Sequence, residues 1–177
     1  IRSVARNGQL DRLSATGSKL VDLLDRQLRR SVLSRMEADV PLGAFLSGGV
    51  DSSTIAALMQ VQSSHPVKTF SIGFDDGEFN EAVYAKLVAR HLGTDHTELY
   101  VRGQDAIDVV PRLPEIWDEP FADSSQLPTY LVSRMAREHV SVVLSGDGGD
   151  ELFGGYNRYV AGTKIWNAIK PMPPRVR

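Results

Sequence analysis

The chain reads Ser47-Gly48-Gly49-Val50-Asp51-Ser52-Ser53 between a short apolar run at residues 42–46 and a helical pattern at residues 54–61. A turn between two such segments predicts a strand of a parallel sheet that leads into a helix. The first turn of a helix presents free N–H groups and a partial positive charge, and two glycines let an anion approach the backbone closely. We therefore interpret this loop as a phosphate cradle.

The polar side chains of the loop suit a phosphate that carries a cation. The hydroxyls of Ser47, Ser52 and Ser53 can donate to phosphate oxygens. Asp51 would repel a bare phosphate, so we predict that it binds Mg²⁺ between itself and the phosphates. No lysine follows the glycines, which separates the loop from the G-x-x-x-x-G-K-[ST] pattern. A purely structural Gly-Gly turn is the alternative interpretation.

Strands and helices alternate along the chain. The predicted strands are residues 42–46, 67–74, 97–101 and 140–144, and the predicted helices are residues 18–36, 54–61, 81–92, 105–117 and 129–138. Two of the strands are continuous apolar runs, as in parallel sheets that are covered on both faces. We predict an α/β fold in which a doubly wound parallel sheet carries helices on both faces.

The composition excludes several classes of function. The 177 residues include 20 Lys and Arg, 22 Asp and Glu and no cysteine, for a net charge of −2. The lack of thiols excludes disulfides, thiolate metal sites and a cysteine nucleophile, and the charge argues against nucleic-acid binding. No apolar run reaches the roughly 18 residues of a membrane span, so we expect no membrane partner and a cytoplasmic location. The histidines show no metal-binding spacing and are predicted at the surface or at helix ends: His65, His91, His96 and His139.

A glycine-rich segment with two acids follows the last predicted strand. It reads Leu144-Ser-Gly-Asp-Gly-Gly-Asp-Glu-Leu-Phe-Gly-Gly-Tyr156. Ligands bind beyond the carboxyl ends of parallel strands, so Asp147 and Asp150 are expected beside the cradle.

Other acids cluster in two places. The acids around Gly77 are interpreted as turn residues: Asp75, Asp76 and Glu78. The acids around Pro120 could belong either to a turn or to a site: Asp118, Glu119 and Asp123.

Together these motifs resemble a known family. The loop at residues 47–53 is similar to the PP-loop of the N-type ATP pyrophosphatases, and residues 69–74, 118–130 and 144–156 match, in order and spacing, the synthetase domain of glutamine-hydrolysing asparagine synthetases. The resemblance covers residues 20–160. It implies an adenine nucleotide alpha hydrolase-like fold and an enzyme that uses ATP and Mg²⁺ to adenylate a carboxylate, aspartate first of all. Ammonia from glutamine then forms the amide, and AMP and pyrophosphate are released.

The resemblance also implies roles for individual residues. Leu46 and Ile72 would lie against the adenine and offer it backbone groups. The nucleotide would further contact the cradle and the end of the neighbouring strand, at Ser47, Gly48, Gly49, Asp51, Ser52, Ser53, Ser145 and Gly146. Mg²⁺ would bind to Asp51 and Asp150, which with Asp147 form the implied catalytic set. Asp147 stands where the family usually has Glu, and the implied substrate contacts are Glu81, Asp123, Ser124 and Asp147.

The match departs from the family in a second position and leaves alternatives open. Ser124 stands where some members have an Arg for the aspartate carboxylate. A ligase of the same fold with another acid acceptor, β-lactam-forming or polysaccharide-modifying, is therefore the first alternative. A nucleotide-binding module without turnover is the second. A sulfur-transfer enzyme on transfer RNA is disfavoured, because cysteine and a basic stripe are both missing.

The ends of the chain suggest a piece of a longer protein. Complete members of the family have an amino-terminal glutaminase domain with a Cys nucleophile and a carboxy-terminal helical part, and neither is present in this chain. We expect residues 1–17 to be a leader or loop, residues 18–163 the synthetase-like domain and residues 164–177 the truncated start of the helical part. A homodimer is left open.

Overall fold

The computed structural model of the protein describes residues 2–14, 16–74, 80–119 and 123–173. The chain forms two compact units, Ile1–Glu37 and Ala38–Arg177. This division differs from the predicted domain over residues 18–163, whose limits stay a prediction.

The first unit contains two helices, α1 (Arg2–Leu10) and α2 (Ser18–Met36). The predicted helix at residues 18–36 is confirmed. The predicted leader or loop over residues 1–17 is wrong for residues 2–10. Good helix formers such as Arg6 and Gln9 outweigh the cost of one helical glycine, Gly8, which is about 1 kcal/mol.

The second unit alternates strands and helices along the described residues. In chain order its elements are β1 (Leu42–Phe45), α3 (Val50–Gln62), β2 (Lys68–Phe74), α4 (Ala82–Leu92), β3 (Asp95–Val101), α5 (Gly103–Ile107), a 3₁₀ turn (Val110–Arg112), α6 (Leu113–Ile116), α7 (Gln126–Arg137), β4 (Val142–Leu144), α8 (Gly149–Phe153) and α9 (Asn157–Ile169). Within these residues no helix is both long enough and apolar enough to cross a membrane.

The four strands form one parallel sheet in the order β3-β2-β1-β4. β1 lies in the middle, with Gly43 paired to Lys68 of β2 and to Val143 of β4. The chain moves outward from β1 through β2 to β3 and then returns to the other side of β1. The order therefore reverses between β1 and β4, and open α/β sheets form their ligand crevice at such a reversal.

Helices cover both faces of the sheet, as predicted. On one face Phe70 of β2 packs against α7 through Val132, Met135 and Ala136. On the other face Leu46 packs with the small residues of α3 and α4, Ala56, Ala85 and Ala89. The predicted doubly wound α/β fold is confirmed.

Several predicted elements have different limits in the structure. The predicted helix at residues 105–117 is wrong as a continuous helix. Pro111 and Pro114 have no N–H to donate, so the segment is divided into α5, the 3₁₀ turn and α6. The predicted strand at residues 140–144 is shorter, because Val140 N–H donates to the carbonyl of Ala136 and so ends α7. β4 is an edge strand whose Val142 is 42% exposed.

Two further differences affect the motifs. α3 begins at Val50, four residues earlier than predicted, so the cradle loop consists of residues 47–49 and the first turn of the helix contains Asp51. α9 extends across the predicted boundary at residue 163.

Of the four histidines, His96 lies in β3 with a nearly buried side chain, so its predicted surface position is wrong. The other three are exposed.

Candidate functional site

A cleft of about 690 Å³ opens at the carboxyl ends of β1, β2 and β4, where the strand order reverses. Most of the predicted site residues line it: Leu46, Ser47, Gly49, Asp51, Ser52, Ile72, Glu81, Ser145, Gly146, Asp147 and Asp150. These residues come from the ends of three strands and from the starts of α3, α4 and α8. Parallel strands place their carboxyl ends at one edge of the sheet, which explains how residues a hundred positions apart meet.

Hydrogen bonds between hydroxyls fix the cradle. The Oγ atoms of Ser47 and Ser52 are 2.9 Å apart, and Gly49 N–H donates to Ser47 Oγ over 3.3 Å. Ser52 is 8% exposed. Ser53 does not line the cleft, because successive helix positions point about 100° apart. Its Oγ is buried and has no hydrogen-bond partner among the described residues.

Gly48 packs the cradle against α4 and does not line the cleft. Its φ of 80° is in the left-handed region that favours glycine. A Cβ at this position would lie 2.7 Å from Tyr84 Cβ and 2.8 Å from Ala85 N. The glycine therefore permits a close contact between the loop and the neighbouring helix.

The loop after β4 touches the first turn of α3. A Cβ on Gly146 would lie 2.6 Å from Ser52 N and 2.8 Å from the carbonyl carbon of Asp51. A Cβ on Gly149 would overlap the carboxylate of Asp51. Side chains at these two glycines would push the loops apart, so the glycines are what allow the two motifs to meet.

The acids of this loop have different surroundings. Ser145 Oγ donates to Asp147 Oδ2 over 2.9 Å, and Asp147 N–H donates back to Ser145 Oγ over 3.4 Å. Asp147 is otherwise exposed. Asp150 is half-buried, with its carboxylate against Gly155, whose N–H donates to the carbonyl of Asp150.

The carboxylates suit a cation that arrives with a phosphate ligand. Asp51 and Asp150 line the cleft from the first turns of α3 and α8. Among the described residues, no group of three or more His, Cys, Asp or Glu could hold a metal ion. Mg²⁺ keeps several waters and is usually bound by one or two carboxylates together with substrate phosphates. The donors therefore fit a nucleotide-borne Mg²⁺ better than a metal held by protein alone.

The other end of the cleft is apolar and offers backbone groups. Leu46 is 1% exposed, its side chain belongs to the α3 and α4 cluster, and its N–H donates to the carbonyl of Phe70 over 2.8 Å. Its N–H is therefore not available to a ligand. The peptide groups of Ile72, two residues beyond Phe70, face the same side of β2, where β1 has already ended. Phe45 and Val132 complete this wall.

The sequence model of the asparagine synthase family matches residues 23–176. The chain belongs to the asparagine synthase family. It is 44% identical over 160 residues to a protein of Methanocaldococcus jannaschii that is named as glutamine-hydrolysing asparagine synthetase 2. It is 42% identical over 142 residues to glutamine-hydrolysing asparagine synthetase 1 of Bacillus subtilis strain 168. The resemblance inferred from the motifs is confirmed.

These alignments cover 90% and 80% of the chain, but 31% and 22% of the two relatives. The chain thus spans less than a third of their length. Two solved structures share its fold. The NH₃-dependent NAD synthetase of Campylobacter jejuni has a TM-score of 0.54 and 14% identity, over 77% of this chain and 60% of that one. The NMN synthetase of Francisella tularensis has a TM-score of 0.52 and 18% identity, over 75% and 56%.

In this member of the asparagine synthase family, the sequence did not identify every residue of the cleft. α7 contributes Pro128 and Thr129, which lie in the matching segment 118–130 but were assigned no role. Glu151 and Tyr156 belong to the glycine-rich motif, and the end of that motif could have pointed to them. Tyr156 OH donates to Glu151 Oε1 over 2.6 Å, and this bond lowers the pKa of the carboxyl and raises the pKa of the phenol.

Some predicted residues do not reach the cleft formed by the described residues. Asp123 Oδ1 accepts a hydrogen bond from Ser125 N–H over 2.9 Å, just before α7, and this bond lowers the pKa of Asp123. Asp123 and Ser124 do not line the cleft. Their predicted substrate contacts stay predictions. The acids predicted as turn residues lie outside the described residues: Asp75, Asp76 and Glu78.

Proposed function

We propose that the chain is the nucleotide-binding core of an ATP-dependent amidotransferase. It adenylates a carboxylate, which we infer to be aspartate, and ammonia from glutamine then displaces AMP to give the amide. The observation that carries this proposal is the contact between the two motif loops, in which Gly146 lies against the backbone of Asp51 and Ser52. That contact gathers a helix N-terminus and carboxylates in one cleft with an apolar wall. The arrangement suits the triphosphate, the cation and the base of ATP.

In the first step an oxygen of the substrate carboxylate attacks the α-phosphorus, and the bond between this phosphorus and pyrophosphate breaks. The cradle stabilises the negative charge that develops on pyrophosphate, because N–H groups of residues 50–52 and the positive end of α3 lie at the cleft. Asp51 and Asp150 hold Mg²⁺ in this proposal. When bound, Mg²⁺ neutralises the charge of the phosphates.

In the second step ammonia attacks the acyl carbon, the bond to AMP breaks, and the nitrogen loses a proton. Asp147 is suited to accept that proton or to orient the ammonia. It lines the cleft, is open to solvent and is held by Ser145. In this proposal ammonia comes from a glutaminase domain in the longer protein that contains the chain.

The choice of aspartate rests on the names of the relatives, which are asparagine synthetases. The test is pyrophosphate release by the complete protein with Mg·ATP and ammonia, with aspartate, glutamate or no acid. We expect pyrophosphate release only when aspartate is the acid. Release with a different acid only would support the ligase with another acceptor. Binding of Mg·ATP without release under any condition would support a nucleotide-binding module.

A further inference from the structure

A buried polar network lies between the sheet and α4, on the face opposite α7. We define the His96 network as Thr69 and Ser71 of β2, His96 and Glu98 of β3, and Lys86 of α4. His96 has a side chain that is 8% exposed. Its Nδ1 is 2.9 Å from Thr69 Oγ1, and its Nε2 is 3.2 Å from Ser71 Oγ.

The charged groups of the network form no hydrogen bond with the His96 ring among the described contacts. Glu98 Oε1 is 4.0 Å from His96 Nε2, too far for a hydrogen bond, and is 2.9 Å from Lys86 Nζ. Tyr100 OH donates to Glu98 Oε2 over 2.9 Å. His96 is therefore held by hydroxyls, while the carboxylate of Glu98 is satisfied by its own partners.

His96 is neutral at neutral pH. Burial lowers its pKa, and this outweighs the opposing effect of Glu98, which raises it. A neutral imidazole has one donor nitrogen and one acceptor nitrogen. One of the two hydroxyls must therefore donate to the ring and the other must accept from it, which fixes both hydroxyl orientations.

Ser71 connects this network to the cleft. It is 3% exposed, it lines the cleft, and it precedes Ile72, whose peptide groups face the space beyond the end of β1. β1 gives no ladder partner to this part of β2. On its other side β2 is paired with β3 as far as Phe74, and the side-chain bond between Ser71 and His96 adds to this ladder.

We propose that His96 is a positioning residue for nucleotide binding, which fixes the hydroxyl of Ser71 at the wall of the cleft, next to Ile72. This inference rests on the proposed function, because it takes a nucleotide as the ligand. It assigns a role in binding to a buried side chain that does not itself reach the cleft.

Protonation of His96 should disturb this arrangement. Both ring nitrogens become donors, so Thr69 and Ser71 must both accept from the ring, and the hydroxyl that donates to the neutral ring must turn. The charged groups that face the new imidazolium are Glu98 from its own strand and Lys86 from α4, while β2 offers hydroxyls only. The ion pair of Lys68 and Asp95 lies on the other face of the sheet. Nucleotide affinity should therefore fall as His96 gains a proton.

The test is calorimetric titration of the chain with Mg·ATP at pH 7.5 and at an acidic pH at which the NMR signals of His96 show that it is protonated, for wild type, His96→Gln and His91→Gln. Glutamine can donate and accept but does not titrate, and His91 is an exposed histidine on α4 that serves as the control. At pH 7.5 we expect all three proteins to bind within about threefold of one another. Between the two pH values, wild type and His91→Gln should lose about tenfold more affinity than His96→Gln, which is the value of about one hydrogen bond.

Equal pH profiles for wild type and His96→Gln would overturn the inference and leave the proposed function standing. No binding of Mg·ATP to folded wild type at pH 7.5 would instead overturn the proposed function. If circular dichroism shows His96→Gln to be unfolded, Ser71→Ala takes its place. It should bind more weakly at pH 7.5 and show the same reduced pH dependence, and a wild-type profile for it would contradict the role of His96.

Discussion

Asp147 and Asp150 follow the same strand, yet their surroundings differ. Asp147 is exposed and hydrogen-bonded to Ser145, whereas Asp150 is half-buried against Gly155. Two carboxylates of different environment at one site are suited to different tasks. Sequence could place both beside the cradle, but their separate environments follow from the short helix α8, which was not predicted.

We predict that substitutions of these two acids have separable effects. In the complete protein with ammonia as the nitrogen donor, Asp150→Asn should lose about 3 kcal/mol of transition-state stabilisation, roughly a hundredfold in pyrophosphate release. Asp147→Asn should keep most of its ATP binding and lose amide formation. The exposed Asp108 offers a control, Asp108→Asn, which should behave as wild type. Near wild-type synthesis by both variants would show that the segment is only a glycine-rich turn.

The cradle shows where residue-level prediction succeeds and where it stops. Ser47, Gly49, Asp51 and Ser52 line the cleft, as the pattern of hydroxyls, glycine and acid suggested. Ser53 does not, because the helix begins earlier than its apolar period indicates. The predicted surface position of His96 is also wrong. A histidine in a strand carries no local sign of burial, and its partners Thr69 and Ser71 come from a strand about 25 residues away.

At the level of helices and loops, the close contact of two segments depends on glycines. Gly146 meets the backbone of Ser52, which cannot move aside as a flexible side chain would. Alternating patterns predicted the strands and helices that hold these loops. They could not predict where helices break, as at Pro111 and Pro114, because a proline is compatible with the first turn of a helix as well as with its end.

We predict that Gly146→Ala destabilises the protein and weakens nucleotide binding. The added methyl group would force the loop away from α3, at a cost of about 1–3 kcal/mol in the free energy of unfolding. Gly162→Ala in α9 is the matched control. A Cβ there meets no atom within 4 Å, so this variant should be up to about 1 kcal/mol more stable. Urea unfolding measures both, and equal stability of Gly146→Ala and wild type would show that the loops do not touch closely.

Over the whole molecule, the order of the strands decides where the candidate site forms. The alternation of strands and helices predicted a doubly wound sheet, and the reversal between β1 and β4 brings the two motifs together. The helix at residues 2–10 and the division of the chain near residue 37 could not be predicted in the same way. Both depend on helix propensities and contacts that leave no motif in the sequence.

We also predict that this chain alone does not hydrolyse glutamine. It contains no cysteine, and thus no thiol that could attack the glutamine amide. Incubation of the purified chain with glutamine should release no glutamate above the level of a buffer blank. Sustained release that scales with protein concentration would contradict the assignment of the chain to the synthetase part of the family.

The proposed function depends most directly on the first turn of α3, which should bind the phosphates of ATP together with Mg²⁺. The direct measurement is calorimetric titration of the chain with ATP, with and without Mg²⁺, for wild type, Asp51→Asn and the control Asp108→Asn. With Mg²⁺ present, Asp51→Asn should bind at least about tenfold more weakly than the other two, because a contact to a charged group is lost. Without Mg²⁺ the difference should shrink or reverse, since the repulsion between Asp51 and the phosphates is also removed. Equal affinity of wild type and Asp51→Asn in the presence of Mg²⁺ would contradict the claim.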